Sequence, residues 1–453
     1  VATLYQPDFL FAGGRLLKGA TLAIGDDGKV LEHAPRLARN VPLPGKLLMP
    51  GLVNAHSHAF QRLLRGRTEY VQREREADDF WSWRELMYRA ANALTPEGLY
   101  AASRQAFVEM ALAGITTVGE FHYLHHQPDG QLYDDVHELA KQVVRAARDV
   151  GLRIVLLRVG YARSGFEVAP NPLQRRFFDL DAHAYIARTL ELRAALSEDL
   201  CVSVGFAPHS VRAVPRGWLE AVAKYAPHDV VHAHVAEQPA ELKACLAEHG
   251  KTPVQLLEEI GLVSPRFTAV HAIHLSPEEI VSLGRAQANI CACPSTERNL
   301  GDGVIPADAL LKAGASISLG SDSQADIHLL GDARQLEAHL RLVRGKRAVL
   351  DPGGGTVAGL GERLLGHATT GGARSLGLDV GALTVGQAAD FFTVDLSHPS
   401  IAGAPEAALI PTVVFGAATA AISEVAVNGR LIVEGGRHPL TEASGRAFAQ
   451  WMS

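Results

Sequence analysis

Between residues 51 and 319, eight short apolar runs alternate with stretches patterned for helix, and this alternation limits the possible folds more than any other feature of the chain. The runs fall at 51–55, 115–119, 153–159, 201–207, 230 or 231 to 236, 268–273, 288–291 and 316–319. Runs of this length without polar alternation read as strands covered on both faces, as in a parallel sheet wrapped by helices. Eight such units predict an α/β fold of the TIM type, a (β/α)8 barrel whose chemistry lies at the carboxyl ends of its strands.

Four side chains with metal-ligand chemistry stand at those ends: His56, His58, His234 and Asp322. His56 and His58 are two positions apart, so on a strand they share a face and can close on one cation. A lone histidine on an apolar strand is more often a packed core residue, and a bare His-x-His pair is weak evidence of a site. Two further strand ends, those carrying His234 and Asp322, supply partners on the same rim. His56 and Asp322 are 266 positions apart, close to the ~250 residues a barrel occupies. The set predicts a bound divalent ion and a hydrolytic chemistry.

The third ligand is drawn from Val231-His232-Ala233-His234-Val235-Ala236-Glu237, where His232 and His234 point the same way and periodicity does not choose between them. His234 lies nearer the carboxyl end, so His232 is expected deeper in the barrel as a packing residue. Glu237 falls in the following loop, placed to move protons without being a ligand. Asp322 follows the eighth strand, where an aspartate is also a common helix cap. His271 ends strand six and is the better candidate to touch the attacking water. His274 precedes Ser276-Pro277-Glu278-Glu279, a helix start, and is expected to be structural.

The chain ends read differently. Residues 1–49 and those beyond about 382 carry short alternating segments and turn signals, among them Asn428-Gly429, a strong two-residue hairpin turn. Each end is too small to bury a core alone, so 1–49 and 382–453 are expected to pair into one composite β-sandwich, with the barrel of 50–381 inserted between them.

Composition excludes several classes. Of 453 residues 47% are hydrophobic and 20% charged, which suits a soluble globular protein with ample core. The net charge of −6 carries no basic stripe, so neither nucleic acid nor an anionic membrane is an expected partner, and an anionic substrate must be met by local arginines. No apolar run approaches ~20 residues, and the four cysteines are scattered, with Cys291-Ala292-Cys293 lacking a second pair to complete a zinc knuckle. A cytoplasmic location with reduced cysteines is the expectation, and a homodimer is the base-rate assembly.

With these motifs in hand, the chain resembles the amidohydrolase superfamily over nearly its whole length. The resemblance rests on Pro50-Gly51-Leu52-Val53-Asn54-Ala55-His56-Ser57-His58, the His-x-x-Glu of strand five, the strand-six histidine, the strand-eight aspartate and the split terminal unit. Many members hold two metals bridged by a modified lysine on strand four. Here 201–209 contains no lysine, a departure that resembles the mononuclear deaminase branch. Three nitrogens and one carboxylate oxygen suit catalytic zinc, with iron as the other ion that fits.

Within that branch the chain is most similar to the formimidoylglutamate deiminases, through Phe80-Trp81-Ser82-Trp83-Arg84, Gly119-Glu120-Phe121-His122-Tyr123, Ala207-Pro208-His209-Ser210-Val211-Arg212 and the segment from His232 to Gln238. The resemblance implies zinc-dependent conversion of N-formimino-L-glutamate to N-formyl-L-glutamate and ammonia, a step of histidine degradation. It also implies Glu237, His271 and Asp322 as catalytic groups, and a small dianionic substrate held by Arg84, Arg212, Tyr123, His209 and Gln61. Ser321 and Ser323 are weaker candidates to line the site. Three other readings stand beside it: a purine-, guanine- or other ring deaminase using the same ligands, an amide- or halide-releasing hydrolase on the same scaffold, and a scaffold relative that has lost catalysis.

Overall fold

The computed structural model describes residues 1–35, 37–71 and 78–452. Eight strands, Leu52–Ser57, Ile115–His122, Arg153–Gly160, Val202–Pro208, Val231–Val235, Phe267–His271, Asn289–Ala292 and Ser316–Leu319, lie side by side in chain order, each parallel to the next. Strands two and three are buried at every position, which is why they show no polar alternation. Helices follow the strands. One of them, Pro277–Arg285, begins as its sequence dictates, with Ser276 and Glu279 forming a capping box and Pro277 at the first turn.

The first and last strands meet at the rim. Ser57 and Asp322 form a parallel bridge, in which the Asp322 amide donates to the His56 carbonyl and the His58 amide donates to the Asp322 carbonyl, both at 3.0 Å. Strand six stops earlier than its apolar run suggests, because His271 and Ala272 take left-handed backbone angles (φ 71° and 50°) and turn the chain out of the sheet.

Both chain ends join in a separate mixed sheet of seven strands: Ala2–Ala12, Arg15–Lys18, Leu22–Ile24, Ala38–Pro50, Phe391–Asp395, Ile422–Val427 and Arg430–Val433. It has its own apolar cluster, including Tyr5, Leu10, Ile24, Leu48 and Phe391. Asn428 and Gly429, at φ 49° and 71°, make the tight turn between its last two strands. Two features tie this sheet to the barrel. Arg153 pairs with buried Asp390 at 3.1 Å, and Ala38–Pro50 leads through Gly51 directly into the first barrel strand. At Gly51 a Cβ would come within 2.2 Å of the Thr116 hydroxyl, so only glycine lets the two strands approach there.

The segment after strand one positions the outer wall of the site. Asp79 caps the helix Phe80–Ala93 through the Trp81 and Ser82 amides, and Ser82 returns a bond to Asp79. At its other end the fully buried Arg176 guanidinium donates to the carbonyls of Ala91, Leu94 and His126. The helix is therefore fixed at both ends, with Trp83, Arg84, Met87 and Tyr88 facing the pocket at the barrel mouth.

Candidate metal centre and active site

His56, His58, His234 and Asp322 converge so that one ligand atom from each lies within 4.8 Å of all the others. The Nε2 of His56 is 3.2 Å from the Nε2 of both His58 and His234, and Asp322 Oδ1 is 3.4 Å from His56 and 3.3 Å from His58. Like groups packed this closely, all buried, repel unless something positive lies between them. The ring orientations fit a cation. His58 Nδ1 donates to the Phe121 carbonyl at 3.0 Å and His234 Nδ1 to the His209 carbonyl at 3.1 Å, which leaves both Nε2 lone pairs facing inward.

Ionisation agrees with that arrangement. Burial pushes all three imidazoles below their ordinary value, His58 to about 3 with help from neighbouring His56, so they are neutral donors. Burial would raise the Asp322 carboxyl, but the surrounding histidines hold it well below the usual carboxylate range. Three neutral nitrogens and one anionic oxygen form a donor set suited to zinc with an open position.

His271 lies on the opposite side of Asp322. Its Nε2 is 3.4 Å from Glu237 Oε1 and 3.6 Å from Asp322 Oδ2, while Nδ1 faces Glu297 Oε1 at 3.3 Å. Burial disfavours its charge, yet Glu237, Glu297 and Asp322 together raise its pKa well above the ordinary value. Ala236, His271, Ala272 and Asp322 all adopt positive φ, a concentration of backbone strain at the ends of strands five, six and eight. His271, Cys293 and Glu297 also converge, and burial pushes the Cys293 thiol well up.

The pocket above the cluster is lined by His58, Gln61, Arg84, Tyr88, Tyr123, Tyr161, His209, Arg212, His234, Glu237 and Asp322 among others. Gln61, Arg84, Tyr123, His209 and Arg212, the residues expected to hold substrate, are therefore each on one wall or another of it. Gln61 Nε2 donates to the Tyr123 hydroxyl at 3.0 Å, leaving its Oε1 without a partner. Arg212 is 5% exposed and stands 3.9 Å from both Glu237 and Glu241, but its Nε and Nη1 make no hydrogen bond. Arg84 stacks over Trp81 at 4.5 Å and its Nη1 is likewise unpaired.

Other residues fall elsewhere. His232 donates to the Ser375 carbonyl at 2.8 Å, beneath the cluster, and His274 bonds the Asp302 carbonyl at 3.0 Å. Ser321 is engaged by Asn54 and Gln324, and Ser323 by Thr296, so these two hydroxyls brace the loop and are not on the pocket lining. Cys245, Cys291 and Cys293 are buried free thiols, and Cys201 is half-buried.

Sequence reasoning missed Glu297, Glu120 and Glu241. Glu120 accepts from the Ser57 hydroxyl and the Ala59 amide, directly behind the His56–His58 pair. Its place at the end of strand two was the available signal. Glu297 lies in the helix Pro294–Leu300 that follows strand seven, where its Oε1 accepts from the Cys293 amide at 2.8 Å.

A parallel eight-stranded barrel carrying three neutral imidazoles and a carboxylate on its carboxyl rim defines a metal-dependent hydrolase. The chain belongs to the amidohydrolase family, which its residues 47–432 match. It is 38% identical to the formimidoylglutamate deiminase of Pseudomonas aeruginosa over 94% of both chains. An amidohydrolase from Brucella melitensis superposes with a TM-score of 0.90 at 35% identity, covering 99% of each chain. An adenosine deaminase from Xanthomonas campestris, solved with zinc bound, shares the fold at a TM-score of 0.83 and 24% identity, over 99% of this chain and 97% of that one. Among the described residues no helix is long and apolar enough to cross a membrane.

Proposed function

We propose that this protein hydrolyses N-formimino-L-glutamate to N-formyl-L-glutamate and ammonia. The observation that carries the reading is the pair of arginines beside the cluster, Arg212 and Arg84, of which the buried Nε and Nη1 of Arg212 and Nη1 of Arg84 make no hydrogen bond, the nearest carboxylates to Arg212 standing 3.9 Å away. Unpaired buried donors of positive charge are costly, and an anionic ligand removes that cost. Two guanidiniums suit a substrate with two carboxylates. The name of the Pseudomonas aeruginosa relative supports the same substrate.

His56, His58, His234 and Asp322 would hold one zinc ion, with iron as the other ion this donor set accepts. Bound there, the ion supplies Lewis-acid activation of water near neutral pH. Asp322 Oδ2, free of the cluster contacts made by Oδ1, accepts the proton as water oxygen bonds to the formimino carbon. Glu237 carries the water's other proton to the imino nitrogen, and Asp322 returns the proton it accepted to that same nitrogen as the formyl carbonyl forms, so the carbon–nitrogen bond breaks and ammonia leaves. His271, held between Glu237, Glu297 and Asp322, donates a hydrogen bond to the attacking oxygen as charge develops on it. Gln61, Tyr123 and His209 orient the substrate from the metal side of the pocket, while Arg84 and Arg212 bind its carboxylates.

An ammonia-release assay comparing N-formimino-L-glutamate, N-formimino-L-aspartate and guanine tests the assignment. Turnover of the glutamate compound with weaker turnover of the shorter one is expected. Ammonia from guanine alone would replace this reading with that of a ring deaminase.

A further inference from the structure

Two tyrosine hydroxyls and one glutamine at the outer end of the pocket are left unexplained by the arginine pair. Tyr88 lies one turn beyond Arg84 on the helix Phe80–Ala93, Tyr161 follows strand three, and Gln174 sits in the short helix Pro172–Phe177. All three are buried to within a few per cent. Gln174 Nε2 donates to the Tyr88 hydroxyl at 2.8 Å and to the Tyr161 hydroxyl at 2.6 Å.

That geometry fixes where the hydrogens go. The amide nitrogen has two hydrogens and spends one on each phenol, so both phenol oxygens act as acceptors towards Gln174. Each hydroxyl hydrogen must then point away from the glutamine. Among the described residues the only other partner of either hydroxyl is the other tyrosine, 3.5 Å away, and that contact can absorb at most one hydrogen. At least one O–H donor is left over, in a pocket wall that also carries Arg84 and Arg212. The glutamine is itself fixed, because Asn92 on the same helix donates to the Leu173 carbonyl at 2.7 Å and pins the short helix in place.

We infer that Gln174 orients the Tyr88 and Tyr161 hydroxyls as neutral donors to a substrate carboxylate remote from the metal cluster, so that Gln174 is a positioning residue for substrate selection. A phenol pair beside two guanidiniums adds direction to a site that otherwise has charge. Donors in fixed directions discriminate against a substrate lacking the acceptor more strongly than diffuse positive charge does. The inference rests on the dicarboxylate reading given above.

The test is the ratio of kcat/KM for N-formimino-L-glutamate over that for N-formimino-L-2-aminobutyrate, which lacks the remote carboxylate, in the zinc-loaded protein. The variants are Tyr88→Phe, Tyr161→Phe and Gln174→Glu. Tyrosine truncation removes a donor with little change of shape. Gln174→Glu converts the donor into an acceptor, turning both hydroxyl hydrogens away from the pocket. Loss of a hydrogen bond to a charged group corresponds to a drop in the ratio of roughly tenfold or more. Gln174→Glu should lower it further than either tyrosine change. A ratio equal to the parent's in all three variants, with the parent active on the glutamate compound, overturns the inference alone. A parent inactive on that compound overturns the substrate reading and this inference with it.

Discussion

Asp322 and His56 grip each other twice: the Asp322 amide donates to the His56 carbonyl at 3.0 Å, and the Asp322 carboxylate stands 3.4 Å from the His56 ring nitrogen. The bridge that joins the first and last barrel strands and the cluster that fits a metal are thus made from the same residues. Backbone and side chain place the donors together.

Asp322→Asn keeps the backbone bridge but removes the anionic donor. The expected result is a folded protein with metal affinity lowered on the order of 100-fold or more and turnover lost with it. Metal content by elemental analysis after dialysis, with circular dichroism as the fold check, gives the answer. Full metal occupancy would show that Asp322 is not a ligand.

Glu237→Gln separates binding from chemistry. The amide cannot carry the proton, so kcat should fall by roughly 100-fold or more while metal content remains that of the parent. A near-normal rate would remove Glu237 from proton transfer.

Arg212→Ala deletes the guanidinium whose Nε and Nη1 make no hydrogen bond in the pocket wall. The expected effect is a kcat/KM for the dianionic substrate lower by roughly 10- to 100-fold, chiefly through KM. Steady-state kinetics decides it, and an unchanged KM would place the carboxylates elsewhere.

Asp332 makes stability depend on pH in a direction opposite to that of a surface carboxylate. Its side chain is buried against the Ser295 amide, and burial raises its pKa from 3.8 to about 8. The folded state therefore keeps the proton up to about pH 8, whereas the unfolded chain releases it near 3.8. Between those values the folded state binds more protons, so this group's contribution falls as pH rises, by up to about 1.4 kcal/mol per unit, and is level above. Asp332→Asn mimics the neutral acid and should gain stability over the parent from pH 5 to pH 9 in urea unfolding. A constant difference between the two proteins across that range would refute the assignment.

Much of this was legible in the chain. The eight strands could be placed because burial on both faces writes them as continuous apolar runs, and 316–319 coincides with the strand Ser316–Leu319. His56, His58, His234 and Asp322 could be named because strand position alone decides which side chains reach the rim. The same logic separated His234 from His232, which lies below and bonds Ser375. What was not legible depends on long-range packing. Gln174 lies in a short irregular segment, and only its contact with a helix 80 or more positions earlier shows what its amide does. Glu297 acts through His271, whose left-handed backbone no local pattern of sequence announces.

The passage from Ala38–Pro50 through Gly51 into Leu52–Ser57 makes the outer sheet and the rim histidines parts of one continuous extended line. The sheet is a rail that sets the height of His56 and His58 at the barrel mouth. Substitutions near Phe391, which pairs with Pro50 at the foot of that line, would therefore be felt as slack in the spacing of the histidine cluster.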